Sequence, residues 1–487
     1  MATVIVIGAG VGGLAAAARL AAAGHRVTVF EQAATVGGKL GRHERETDAG
    51  TFRFDTGPSL FTLPQVAAEL FASTGVRHPE QAPLDLVPLN PIVRHHFPDG
   101  STLDSTAGEA FAERIAAAFG AEAAADWRRL WRRAGRVWAA SWRHVLTAPV
   151  DSPLRMAGLA WRLGDLAAIA PGRSLRALGR THLRDPRLRM LLDRYATYTG
   201  ADPRRAPAAL LAIPYAELEF GGWYLRGGLG TLADALLARC EALGVRVHTG
   251  APVRSIAVSG SRAAGVVLAD GARVPADVVV ANADALHVYR DLLPSPRRAR
   301  RLSARSLGGF VLLLGVRGRT AGLAHHTVFF PRDYDAEFDA VFGTAPSPVA
   351  DPAVFVTVAD DPLVRPPGHE AWFVLVNAAP QGAVDWRSAA PAYADRVLEV
   401  LAARGHDVRD RLLFRDVLTP ADLETATRSP GGAIYGTASH GLGGLLRPPN
   451  RAPLPGLFLV GGSVHPGGGL PLVMLSAKIV ADLIGAG

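Results

Sequence analysis

Cysteine is almost missing from this chain: Cys240 is the only one in 487 residues. That excludes an intramolecular disulfide and a thiolate-built zinc site, and it agrees with a reducing compartment. Lysine is nearly as scarce, with only Lys39 and Lys478, so the net charge of +8 rests almost entirely on arginine. Two readings of that bias stand: an anionic partner such as acidic lipid or a phosphate-bearing cofactor, or the codon usage of a GC-rich genome. No nucleic-acid partner is expected. There is no uninterrupted run of about 18 apolar residues, so no spanning helix is expected. The chain opens directly into a strand pattern without the three regions of a secretory signal. No paired carboxylates and no metal-spaced His/Asp/Glu cluster stand out, so no metal is expected. The expected place is the cytoplasm, with peripheral association to a membrane surface.

What is present is ordinary globular material, 49% hydrophobic and 20% charged. Its length suits two or three domains, or one large α/β domain with insertions. The segment "TVIVIGAGVGGLAAAARLAAAGHRVTVFEQ" is the most informative. Val4 to Ile7 form an apolar run fit for a buried parallel strand, an alanine-rich helix follows Gly13, and a second strand runs from Val27 to Phe30. Gly8, Gly10 and Gly13 supply the GxGxxG spacing of a dinucleotide-binding unit. The first permits the tight turn, the second lets the backbone approach a pyrophosphate, and the third lets helix pack on strand. The helix N-terminus then offers free N–H groups to the anion. Glu31, at the end of the second strand, is placed to accept hydrogen bonds from a ribose hydroxyl.

Gly37 and Gly38 form a second bare turn, and "FDTGPS" at 54–59 closes the segment. Both are turn punctuation whose position directly after the nucleotide unit points to the same ligand. From about Phe61 to Gly221 the pattern is mostly helical. Trp127, Trp131, Trp138 and Trp142 share one side at helical spacing, interleaved with arginines. This fits either a membrane-interface helix or a core helix with a solvated arginine face. From Tyr224 the chain returns to α/β texture, with strands near 245–248, 253–258 and 278–280. After Arg305, β-rich runs alternate with Pro/Gly loops.

The blocks "VIVIGAGVGGLAAAARLAAAGHRVTVFEQ", "FDTGPS", "IPYAELEFGGWYLRGG" and "LFLVGGSVHPGGGLPLVMLSAKIVADLI" together resemble the phytoene-desaturase family of FAD-dependent carotenoid desaturases, within the wider flavin amine oxidoreductase superfamily. The resemblance covers nearly the whole chain. It implies an α/β fold in which a Rossmann-like FAD-binding domain (1–75, 225–300, 450–487) is interleaved with a mixed-sheet substrate domain (76–110, 301–449). A helical, membrane-facing insertion would occupy 111–224. It also implies cofactor contacts at Gly8, Gly10, Gly12, Gly13, Glu31, Gln32, Gly38, Lys39, Pro58 and Ser59. From the far end of the chain, Gly461, Gly462 and Ser463 would approach the ribityl and pyrophosphate region, with the segment from Leu470 through Leu472 and Val473 beside the flavin ring. Val253 would meet the adenine. Side chains at 467, 468 and 469 would collide with the ring system.

Carotenoid precursors are hydrocarbons without an acidic hydrogen, so their desaturation needs a hydride acceptor such as a flavin, and the protein positions the chain. His465 is either an acceptor for the second proton or a holder of its turn. The resemblance leaves the substrate open between phytoene, neurosporene and a hydroxylated derivative: the "GGSVHPGGGLP" form is similar to desaturases of hydroxylated carotenoids, and "IPYAELEFGGWYLRGG" to phytoene desaturases. Two rivals remain at this point: a flavin amine oxidase, and a non-enzymatic prenyl-lipid-binding protein of the same fold.

Overall fold

A computed structural model describes residues 1–76, 84–150, 163–441, 444 and 446–487. Parts of the expected helical insertion and of the expected substrate domain lie outside these residues.

The expected nucleotide unit forms as read. β1 (Thr3–Ile7) leads into α1 (Val11–Ala22), which returns to β2 (Arg26–Phe30). These two strands pair in parallel, Val4 opposite Val27 and Ile7 opposite Phe30. Three further strands complete a parallel sheet: Arg246–His248 beside β2, then Val278–Ala281 and Leu457–Leu459 on the other side of β1. The sheet is therefore assembled from segments up to 450 residues apart in sequence, and both faces are covered, which is why its strands are continuous apolar runs. On one face α1 packs with the C-terminal helix Leu470–Ile484 and with the helix Thr231–Ala242. The run of alanines in α1 is fully buried there, small enough to let three helices approach the sheet closely.

A second, seven-stranded mixed sheet is built around the long antiparallel pair Gly308–Arg317 and His369–Ala378. Its far edge recruits Val93–His96 and Thr102–Ser105 from the first quarter of the chain. Helix Trp386–Ala403 covers one face, burying Trp386, Tyr393 and Val397 against Phe310 and Val374. The other face looks toward the nucleotide sheet across a cavity. A helical layer closes that cavity, made of Ala121–Ser141, Pro186–Arg194 and Ala212–Phe220 among others.

The tryptophan side of helix Ala121–Ser141 turns inward. Trp127 is 3% exposed, edge-on to Phe111 and stacked on Trp131. Trp131 and Trp138 meet Tyr215, and Trp138 meets Phe220 and Trp142. Successive spacings of four, seven and four residues make one stripe, and helix Ala212–Phe220 covers it. The packing supports the core-helix reading for these rings and leaves the arginines outward: Arg129, Arg132, Arg136 and Arg143 are exposed. Among the described residues no helix is long and apolar enough to cross a membrane.

Candidate functional site

One cavity of about 1160 Å³ runs from the N-terminus of α1 to the mixed sheet. Gly8, Gly10, Gly12, Glu31, Gln32, Gly38, Lys39, Pro58, Ser59, Val253, Gly462, Ser463, His465, Leu472 and Val473 all line it. Gly13 stands behind the wall, where a Cβ would lie 2.0 Å from the Gly8 carbonyl oxygen. Its role is the close passage of helix over turn that the spacing anticipates.

The two ends of the chain meet here around a residue that motif reading missed. Asn282, just past the strand Val278–Ala281, inserts its side chain between the two turns. A Cβ on Gly12 would fall 2.7 Å from its side-chain amide, 3.0 Å from Val473 Cγ1 and 3.2 Å from Gly461 Cα. A Cβ on Gly461 would fall 2.8 Å from the same amide. The bare backbone on both sides thus serves a contact between distant segments of the chain as well as access from the cavity. The only signal in the sequence was the small-residue turn "ANAD" after an apolar strand.

Glu31 is held at the end of β2, with Oε2 accepting from Ala9 N at 2.7 Å and Oε1 from Ala33 N at 2.9 Å. A carboxylate has about four acceptor positions, so each oxygen keeps capacity for a diol. Gln32 donates to the Ala426 carbonyl and accepts from Arg428. Ser463 Oγ accepts from Ala285 N at 3.0 Å, and Ser59 Oγ accepts from Thr357. Lys39 donates to Ser429 Oγ and to the Ala433 and Ile434 carbonyls. Burial pushes its pKa down to about 8. Beside it Asp284 accepts from Arg305 and Ser429. Burial alone would raise that carboxyl, but Arg305 and Lys39 outweigh it and hold the pKa below the usual range. Arg447, pushed down to about 10 by burial, donates to the Tyr435 carbonyl. One carboxylate therefore faces three cations along this wall, a net charge of +2 that falls to +1 as pH rises through about 8 and Lys39 loses its proton.

The C-terminal turn departs from the expectation. At Gly468 a Cβ would lie 2.5 Å from Tyr435 Cδ1, so the side chain excluded there is excluded by a protein ring. Gly469 has open space around it but a φ of +102°, and Gly467 a φ of +141°. At those two positions the backbone conformation requires glycine. The turn is braced from behind by Asn450, whose Nδ2 donates to the Leu459 and His465 carbonyls and to Ser476 Oγ. His465 is 2% exposed, with Nε2 2.9 Å from the Ala148 carbonyl. A carbonyl only accepts, so the hydrogen sits on Nε2, and Nδ1 keeps the lone pair. Burial lowers the ring's pKa.

The cradle fits a dinucleotide: a helix N-terminus with backbone on three sides, an acid at the end of the second strand, and side chains excluded where a flat ligand would pass. Comparison with known proteins agrees. Residues 11–485 match the flavin-containing amine oxidoreductases. The chain belongs to that family. Among its curated relatives, a hydroxyneurosporene desaturase of Rhodobacter capsulatus is 36% identical over 99% of this chain and 98% of its own length. A 1-hydroxycarotenoid 3,4-desaturase of a Flavobacterium species is 31% identical over 99% and 98%. Solved structures share the fold at lower identity. An oxidoreductase from Methanosarcina mazei aligns with a TM-score of 0.66 at 18% identity, covering 99% of this chain and all of the other. Cyclohexylamine oxidase from Brevibacterium oxydans aligns at 0.60 and 16%, covering 99% of both chains. The fold is thus shared over 99% of the chain.

Proposed function

We propose that this family member is an FAD-dependent desaturase that introduces double bonds into a carotenoid precursor. The observation that carries the proposal is the continuity of the cavity. The same space that begins at the glycine turns continues into an apolar chamber lined by Val311, Phe355, Phe373 and Leu375 from the mixed sheet and by Leu210 and Ile213 from the helices. A long hydrocarbon chain fits such walls. The names of the curated relatives point the same way.

Bound FAD would supply the hydride acceptor. The apolar chamber excludes water and holds the chain edge against the C-terminal turn. Lys39, Arg305 and Arg447 offer positive charge beside that turn, where an electron pair arriving from the substrate is favoured. Once a hydride has left, the adjacent C–H is strongly acidic and a weak acceptor suffices. Nδ1 of His465 is such an acceptor, held in place by the Ala148 contact. Substrate would come from a bilayer, and we assign the outward arginines of helix Ala121–Ser141 and its continuation to peripheral contact with anionic headgroups. The cavity wall at Ser141, Val145, Leu146 and Val150 lies on that same segment.

The test is anaerobic mixing of FAD-loaded protein with an acyclic carotenoid precursor. Flavin absorbance should bleach in a single turnover, and the product spectrum should move to longer wavelength as conjugation lengthens. Bleaching by simple amines and not by carotenoids would overturn the proposal.

A further inference from the structure

Inside the apolar chamber lies a charged group that the chemistry above leaves unused. Arg194 ends the helix Pro186–Arg194, is 7% exposed and lines the cavity. It forms no ion pair among the described residues. Its Nη1 donates to the Tyr198 hydroxyl at 3.1 Å, and the guanidinium lies over the rings of Tyr198 and Phe355 at 5.1 and 5.5 Å. Tyr198 passes the contact on: its hydroxyl donates to Glu217 Oε2 at 2.9 Å, while Tyr195 donates to Oε1 at 2.8 Å. Glu217 also lines the cavity. A guanidinium has five N–H groups, and among the described residues only one hydrogen bond from it is made. Beside it the Tyr334 hydroxyl, also at the cavity wall, is buried without a partner.

A buried cation with unused donors costs free energy unless something accepts from them. A purely hydrocarbon guest would seal it off. A guest bearing an oxygen would satisfy it. The cluster holds one positive and one negative group, so a neutral oxygen suits it better than a carboxylate, which would face Glu217. A hydroxyl is the smallest neutral oxygen group that both accepts from Arg194 and donates to the remaining acceptor positions of Glu217. The cluster also lies near the turn at which the chain edge is held: Gly200, two residues after Tyr198, lies against one edge of the Tyr435 ring, where a Cβ would be 3.0 Å from Cδ2, and Gly468 lies against the other, where a Cβ would be 2.5 Å from Cδ1. We infer that Arg194, oriented by Tyr198 and Glu217, is the specificity residue that selects a carotenoid whose end carries a hydroxyl group, close to the bond being desaturated. This rests on the desaturase reading above and narrows its substrate.

The experiment compares one acyclic polyene with and without a hydroxyl at its end, on wild type, Arg194→Met and Tyr198→Phe, reading both kcat/KM and binding by tryptophan-fluorescence quenching. A site built around a hydrogen-bonded hydroxyl should favour the hydroxylated chain by about a hundredfold or more. Arg194→Met should remove that preference by lowering the hydroxylated substrate alone, with flavin content unchanged. Tyr198→Phe, which keeps the ring and loses the relay, should remove part of it, so the inference stays testable if the arginine variant does not fold. Equal handling of both chains by wild type, or equal losses on both in the variants, would overturn the inference and leave the desaturase reading standing. Binding preference without turnover of either chain would do the reverse.

Discussion

Replacing Gly468 by alanine isolates one contact at the C-terminal turn. Gly468 lies outside the positive-φ positions, so alanine meets no backbone strain there. The added methyl would stand 2.5, 3.2 and 3.5 Å from Cδ1, Cε1 and Cγ of Tyr435. Ordinary contact begins near 3.4 Å, so the ring must retreat by roughly an ångström. Gly200 limits its room, since a Cβ there would be 3.0 Å from Tyr435 Cδ2 on another side. Overpacking of this kind costs about 1–3 kcal/mol. With an unfolding entropy of about 2.1 cal/mol/K per residue, roughly 1 kcal/mol/K for this chain, Tm should fall by about 1–3 °C. Turnover should fall further, because the displaced ring moves into the cavity beside the turn. Tyr435→Leu combined with Gly468→Ala should relieve the clash, giving a coupling of about 0.5–3 kcal/mol in a double-mutant cycle. Gly469→Ala, with open space but φ of +102°, should destabilise by about 1–3 kcal/mol of backbone strain and show no coupling to Tyr435. The readouts are thermal unfolding by tryptophan fluorescence and anaerobic flavin bleaching. Additivity of Gly468→Ala with Tyr435→Leu would refute the assignment of that clash.

Glu31→Gln should leave the Ala9 or Ala33 N–H facing an amide hydrogen, a loss of about 1–3 kcal/mol that weakens FAD retention measured by ultrafiltration; full retention would contradict the role given to Glu31. Flavin reduction should slow as pH rises through about 8, since Lys39 then loses its positive charge, and Lys39→Met should be slower at neutral pH and lack that limb; an unchanged pH profile would remove Lys39 from the positive wall. His465→Gln keeps a donor for the Ala148 carbonyl but lacks the imidazole lone pair, so a loss of about a hundredfold would identify an acceptor and a small loss a turn holder. Liposome flotation should increase with anionic lipid and decrease with salt, and replacing Arg129, Arg132, Arg136 and Arg143 by Gln should reduce it; Arg133 is left out because it donates to the Ala167 and Ala168 carbonyls.

The sequence alone determined the nucleotide unit, because its signals are local. A strand of Val and Ile, glycines at fixed offsets and an acid at the end of the next strand each act within a few residues of one another. It also placed the C-terminal glycine turn at the same ligand, though through resemblance to a family and not through geometry. Only the tertiary structure decided what spans distance. Asn282 stands between two turns separated by most of the chain, and the small-residue turn that holds it says nothing of either. Gly468 is bare because of Tyr435, and the tryptophans of helix Ala121–Ser141 face inward because helix Ala212–Phe220 lies over them. Arg194 looked like one of 50 interchangeable arginines, since a side chain's charge is written in the sequence but its desolvation is not. Burial depends on what every other segment packs against it, and that is a property of the fold.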